Sequence, residues 1–344
     1  MIYYVMIFIF REEEKIDPHS NVLPGVSIVI AVKNGHSQFP SFLKKILDQD
    51  YPLFEILVVD DHSDRGVLDK VIEMGAQHPQ IKMIHASDTH GKKNALMIGV
   101  QKASFPIILC TDADSYPQTS HWIREMVKHS RPEGMVLGYS PYEKQKGFLN
   151  LWIRFETLLT GMQYLSWAGQ GKAYMGVGRN LLFPKDWFLE NQPFAGTMDI
   201  PYGDDDLLVQ RAVKELAVVP CKSNESFVIS QPEASWKAWW RQKHRHMSAG
   251  HQYQTSAWLK PGLLGMALIG HWVLLPVVWN ACYPWVLIFF SGALMVRWIR
   301  YSMWTQKLGD RDTVVIYPVL EATYALYLAV MGMYTLINPK KKWN

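Results

Sequence analysis

Cysteine is scarce in this chain. Three thiols in 344 residues (Cys110, Cys221 and Cys282) lie far apart and without metal-ligand spacing. An odd number with no framework excludes a disulfide scaffold and reads as reduced thiols in a cytosolic compartment. Net charge is also small, +4, too little to argue for a nucleic-acid partner. The turn after the first apolar run, Ala31-Val-Lys-Asn-Gly35, lacks the G-x-G-x-x-G that a nicotinamide-dinucleotide fold places there. Met1 to Phe10 has no basic leader and no small-residue cleavage site, so it reads as a poor signal peptide. As a helix it would span about 15 Å, half of a bilayer core of roughly 30 Å. It reads either as an interfacial anchor or as the end of a longer helix.

What the chain does have is unevenly placed. Up to about residue 260, charged and apolar residues are mixed as in soluble domains; from Leu263 onward long apolar runs dominate. Val26–Val32, Ile56–Val59, Ile81–Ile84 and Ile107–Cys110 read as buried strands, separated by helical spacing at Phe39–Leu47, Val67–Met74 and Asn94–Ala103. Strands alternating with helices imply an α/β fold with a mainly parallel sheet flanked by helices, whose ligands sit beyond the carboxyl ends of the strands. Gly147–Leu165 reads as an amphipathic helix. Ser235–Trp258 is both aromatic and basic, the composition of a helix lying in the membrane interface. Residues 261–298 are long enough for two spans turning near Asn280–Pro284, and a further span runs from about Val314 to Ile337, interrupted by Pro318 and Glu321. The basic stretch Arg297–Arg311 is expected on the cytoplasmic side, which leaves Lys340–Lys342 on the disfavoured side if all three cross. Two to three spans are therefore expected. Glu321 is a candidate for a polar path or a helix–helix contact.

Acidic residues follow the strand ends. Asp60-Asp61-His62-Ser63-Asp64 ends the second strand and suits either a ribose or base contact or a turn with a helix cap. Thr111-Asp112-Ala113-Asp114 ends the fourth, offering two hard oxygen ligands for Mg²⁺ or Mn²⁺. Lys92, in Gly91-Lys92-Lys93-Asn94, can neutralise a diphosphate at a helix start. Gly203-Asp204-Asp205-Asp206-Leu207 is either an acidic helix cap or holds a general base that takes a proton from a hydroxyl. Gln242, Arg245 and His246 lie in the aromatic-basic segment. Gly176-x-Gly178-Arg179-Asn180 suits a backbone-exposing loop or a strand bulge equally well. His85 and His90 show no metal spacing and read as structural or solvated.

Together these motifs resemble the family 2 glycosyltransferases of the GT-A fold, particularly the membrane-bound relatives of cellulose, chitin and hyaluronan synthases. Val26 to Asn34 is similar to that family's opening strand. Asp60-Asp61-x-Ser63 looks like its nucleoside-binding pair, Gly91-Lys92-x-x-Ala95-Leu96 like its diphosphate-side segment, and Asp112-Ala-Asp114 like its D-x-D. The acid pair ending in the base has its counterpart in Gly203–Leu207, one residue short. Counting from the glycine selects Asp205 and counting from the leucine selects Asp204, with Asp205 preferred. Q-x-x-R-W is matched by Gln242 and Arg245, with His246 in place of tryptophan.

The resemblance implies an inverting transfer of sugar from a UDP- or GDP-sugar to a glycan or lipid-linked acceptor, at the cytoplasmic face of the inner membrane. Asp205, or Asp204, would be catalytic. Lys33, Asp60, Asp61, Lys92, Asp112, Gln242 and Arg245 would bind the donor, and Asp114 with Asp112 would hold Mg²⁺ or Mn²⁺. The implied organisation is an apolar segment and linker (1–24), a catalytic domain (25–234), an interfacial segment (235–260), membrane helices (261–338) and a basic tail (339–344). Two rival readings are a non-catalytic sugar-nucleotide-binding subunit and a phosphosugar transferase acting on a lipid phosphate.

Overall fold

The apolar runs become strands: β1 (Val26–Val32), β2 (Phe54–Asp60), β3 (Ile81–His85) and β4 (Ile107–Asp112). β1, β2 and β4 are buried on both faces, with Ile28, Ile30, Ile56 and Val58 fully buried, while the edge strand β3 leaves Lys82 and His85 exposed. The computed structural model describes residues 23–338 apart from 36, 64–66, 87–89, 132, 201–202, 250–254 and 281–283. The apolar segment Met1–Phe10 and the basic tail lie outside the described residues.

Between these strands run α1 (Phe39–Leu47), α2 (Val67–Gln77) and α3 (Lys92–Lys102). α1 starts with a proline in its first turn and buries Phe39, Phe42, Leu43 and Ile46, the i, i+3, i+4, i+7 stripe of a helix lying on a sheet. β5 (Ser115–Pro117), α4 (Trp122–Lys128) and β6 (Gly134–Leu137) follow, then α5 (Phe148–Ala168), β7 (Leu181–Pro184), α6 (Lys185–Asn191), α7 (Asp204–Ala212), β8 (Ala217–Pro220) and β9 (Val228–Ser230). The seven-stranded sheet has the order β3-β2-β1-β4-β7-β6-β8. β1 pairs in parallel with β2 and β4, β2 with β3, and β6 with β8; β7 alone runs antiparallel to its neighbours β4 and β6. The sheet is thus mainly parallel, as the alternation of strands and helices implied. β5 and β9 form a separate antiparallel ribbon.

α3 sits hard on the sheet at Gly99. A Cβ there would stand 2.4 Å from a Val29 methyl and 3.1 Å from one of Val59, so only glycine permits this approach.

The chain divides into two compact units. One contains β1 through Glu143 together with Trp167–Gln231; the other contains Lys144–Ser166 and the chain from Pro232 onward. In the second unit, α5 is buried around nearly its whole circumference, whereas its sequence suggested an amphipathic helix. Its aromatic rings explain the difference: Trp152 and Phe155 pack against Tyr324, and Phe155 also meets Tyr301 and Tyr317. α8 (Trp236–Ala249) is followed by α9 (Thr255–Asn280), α10 (Pro284–Leu308) and α11 (Tyr317–Ile337). Three helical stretches, Leu259–Val277, Pro284–Leu308 and Tyr317–Ile337, are long and apolar enough to cross a membrane by length and composition. The basic loop expected from Arg297 to Arg311 is shorter than that, because α10 continues to Leu308. Pro318 stands in the first turn of α11 and does not interrupt it.

Glu321 proves to be a helix–helix contact. Arg297 of α10 donates Nε and Nη2 to its two oxygens at 2.7 and 2.8 Å, Tyr317 adds a hydroxyl at 2.5 Å, and Trp272 of α9 adds its indole N–H at 3.2 Å. Arg154 forms a comparable buried pairing with Asp310 at 2.6 Å and with Asp312.

Candidate active site

The carboxyl ends of β1, β2 and β4 and the start of α7 gather the predicted acids of the first unit. α7 opens with three aspartates because Gly203, at φ 73°, turns the chain in the left-handed region and leaves the helix N–H groups facing that turn. Asp205 Oδ1 accepts the N–H of Asp206 at 3.0 Å, and Asp205 Oδ2 accepts that of Gly178 at 3.0 Å. Asp206 Oδ1 accepts from Gly176 at 3.3 Å. The segment 176–180 is a turn leading into β7, not a bulge within a strand, and its backbone fixes the acids of α7. A Cβ on Gly178 would lie 3.3 Å from Asp205 Cβ and 3.4 Å from Lys92 Nζ, which accounts for a glycine there.

Lys92, first residue of α3, reaches Asp112 Oδ1 at 2.8 Å and Asp204 Oδ2 at 3.5 Å. Burial works against its charge, but Asp112, Asp204 and Asp205 outweigh it and hold the ammonium well above the ordinary lysine value. Asp205 moves the other way. Burial, followed by the charge of Asp204, raises its pKa to about 6, while Lys92 and the Gly178 and Asp206 N–H groups partly oppose the rise. Lys92, Cys110, Asp112, Gly178, Asp204 and Asp205 line one cleft. Burial pushes the Cys110 thiol up, so it is no nucleophile there.

Asp114 lies two residues past Asp112, exposed, and accepts the Ser115 hydroxyl at 3.0 Å. The protein packed around its carboxyl and then the charge of Asp112 raise its pKa; Arg179 and Lys92 pull it down. Arg179 is held by Ser140, through Nε to the hydroxyl at 2.6 Å and Nη2 to the carbonyl at 3.1 Å. Two neighbouring carboxylates, one of them made harder to ionise by the other, are a donor set that a hard divalent cation relieves. Thr111 Oγ1, buried in the cleft lining, has no hydrogen-bond partner among the described residues. These residues fit Mg²⁺ or Mn²⁺.

The second-strand acids sit together beside β1 and β3. Asp60 accepts the Ser63 N–H at 3.0 Å and faces His85 at 3.3 Å; Asp61 accepts the Gly91 N–H at 2.9 Å and faces Lys33 at 3.8 Å. Both carboxylates are buried. Gln242 and Arg245 belong to the other unit, three residues apart on α8. They are half-buried, whereas Lys243 is buried against Glu156 and His244 donates to the Asn338 carbonyl at 2.7 Å.

Sequence reasoning passed over Lys93. Its buried ammonium donates to the carbonyls of Thr197 at 2.6 Å and Ile200 at 2.9 Å, tying α3 to the loop that leads into the three aspartates. Nothing in the sequence separates this lysine from its neighbour Lys92, since both lie in one helix turn. His62 and His90 were also out of reach, because 28 residues separate two rings whose centroids stand 4.0 Å apart.

Residues 27–189 match the family described as Glycosyl transferase family 2. The poly-beta-1,6-N-acetyl-D-glucosamine synthase of Staphylococcus epidermidis is 30% identical over 91 residues, 26% of this chain and 22% of the relative. A Bacillus subtilis protein named "Probable glycosyltransferase YdaM" is 25% identical over 245 residues, 67% of this chain and 56% of the relative. These matches cover between about a fifth and just over half of the relatives' lengths. The mannosyltransferase PcManGT of Pyrobaculum calidifontis, solved with GDP-Man and Mn²⁺, shares the fold at a TM-score of 0.58 and 18% identity, over 92% of this chain and 93% of that one.

Proposed function

We propose that the chain is a family 2 glycosyltransferase that moves a sugar from a nucleotide-diphosphate donor to an acceptor hydroxyl with inversion at the anomeric carbon. The observation that carries this reading is the meeting of Lys92, Asp112, Asp204 and Asp205 in one cleft beyond the strand ends.

Asp205 takes the proton of the attacking hydroxyl. A carboxylate with a pKa near 6 is ionised at neutral pH yet basic enough to serve. Its anchoring by the Gly178 and Asp206 N–H groups holds it in one orientation, which favours it over Asp204, paired with Lys92. Lys92 and the N-terminus of α3 compensate the charge that grows on the departing diphosphate. Asp60, Asp61 and Lys33 receive the nucleoside. A divalent ion held by Asp114 and Asp112 would supply further positive charge to the leaving group. The thiol of Cys110, kept protonated, offers no covalent route, in keeping with a single displacement.

The Mn²⁺ bound by the Pyrobaculum enzyme supports the metal, and its GDP-Man a nucleotide-sugar donor of the UDP or GDP class. The staphylococcal synthases support a glycan or lipid-linked acceptor in polysaccharide assembly. The three apolar helices support a multi-pass place in the inner membrane, with the catalytic unit on the cytoplasmic side. Membranes carrying the protein, incubated with a panel of UDP- and GDP-sugars and Mn²⁺, are expected to release nucleoside diphosphate. Release of monophosphate instead would move the reading to phosphosugar transfer, and binding without turnover would make the protein a non-catalytic subunit.

A further inference from the structure

Asp61 divides its carboxylate between two tasks. Oδ2 accepts the Gly91 N–H at 2.9 Å and faces Lys33 at 3.8 Å. Oδ1 faces two imidazoles, His62 Nδ1 at 3.3 Å and His90 Nδ1 at 3.9 Å. The aspartate is buried, its side chain 5% exposed, while both histidines are open to solvent. Their rings touch one another, 4.0 Å between centroids with planes 34° apart. One ligand atom from each of the three residues lies within 4.8 Å of the other two. His62, in the bend just past the end of β2, holds a left-handed backbone at φ 58°, and its ring lies beside Asp61.

Zinc bound tetrahedrally to imidazole nitrogens and a carboxylate oxygen at about 2.1 Å would hold its ligand atoms roughly 3.4 Å apart. The two distances to Asp61 Oδ1 lie within about half an ångström of that value. Two nitrogens and one oxygen suit a borderline cation such as Zn²⁺, whereas the all-oxygen set at Asp112 and Asp114 suits Mg²⁺ or Mn²⁺. The Gly91 N–H supplies the outer support that orients a ligating carboxylate.

We propose that Asp61, His62 and His90 bind one Zn²⁺ ion, distinct in chemistry from the acid cleft, and that zinc and the donor's nucleoside exclude each other at Asp61. The exclusion rests on the donor-site reading of Asp61 given above. Zinc here acts as an inhibitor that leaves the metal of the cleft in place.

Equilibrium dialysis of the detergent-solubilised full chain against ZnCl₂, with saturating MgCl₂ present, tests the site. One zinc per chain is expected, weakened at least tenfold in both His62→Ala and His90→Ala; equal binding by all three proteins overturns the site. In a second arm, UDP and GDP are titrated with and without ZnCl₂. Zinc should weaken nucleotide binding in the native chain and leave it unchanged in His62→Ala. Zinc bound at the cluster with nucleotide affinity unaltered overturns the exclusion. A chain that binds nucleotide but no zinc sinks the zinc site alone, and one that binds zinc but neither nucleotide sinks the donor reading.

Discussion

The acid cleft and the helical unit both bury charge, and they balance it in opposite ways. In the helical unit each buried acid among the described residues has a basic partner. Arg297 and Glu321 join through two bonds, Arg154 meets Asp310 and Asp312, and Lys243 meets Glu156. In the cleft, among the described residues, three aspartates share one lysine. The pKa values follow. Burial works against the charge of Asp312, yet bonds from Arg154 and Lys144 draw it down to about 2, whereas Asp205 rises to about 6. Neutralised pairs glue elements together, and uncompensated acids mark a place where an incoming cation and a proton in transit complete the balance.

The largest test of this contrast is Asp205→Asn. Loss of a general base is expected to lower transfer by about 10²- to 10⁴-fold while nucleotide binding survives. Turnover and binding measured side by side on Asp204→Asn should show the smaller loss; the reverse order moves the base to Asp204. The native enzyme should lose activity as pH falls through about 6, where Asp205 takes up a proton. Stability carries the opposite sign. A carboxyl whose pKa is raised on folding binds more protons folded than unfolded between about 4 and 6, so its contribution is lost as pH rises across that window. Asp205→Asn should flatten that fall in a pH series of thermal melts.

Next in size is the helical unit. Glu321→Ala leaves Arg297 buried without its partner, an expected cost of about 3–5 kcal/mol seen as a lower melting temperature in detergent. The double change Arg297→Met with Glu321→Leu should recover most of it. A double change as damaging as the single one would mean that the pair does more than fasten helices. Smaller still is Lys93→Met, which strips two partly buried carbonyls of their donor and should cost about 1–3 kcal/mol. Its second reading is kinetic: turnover should fall more than nucleotide affinity, because the loop leading to Asp204 and Asp205 slackens. Gly178→Ala should have the mildest effect, a modest fall in turnover as its methyl crowds Asp205 and Lys92.

The sheet was legible because β1, β2 and β4 bury both faces, a pattern that needs no partner to be seen. The antiparallel insertion of β7 between β4 and β6 was not, since pairing between segments 44 to 77 residues apart leaves no periodic trace. Strand-end acids announced the cleft: carboxylates released from apolar runs are costly unless used. Lys93 and the His62–His90 contact stayed hidden, because both depend on which loops come to lie beside the start of α3, a property of topology alone. Hydropathy found the three apolar helices but read α5 as amphipathic, since its aromatic rings are covered by neighbours distant in sequence.

The seat of α3 on the sheet at Gly99 turns that helix into a lever. Lys92 stands seven residues toward the other end, about 10 Å along the axis, and Val29 beneath Gly99 belongs to the floor of the cleft. A single methyl at the fulcrum would tilt the shaft and swing the ammonium away from Asp112 and Asp204. The reach of the lysine is therefore set by a residue with no charge and no side chain, and tuning the fulcrum rather than the tip is a route to grading the proposed transfer rate.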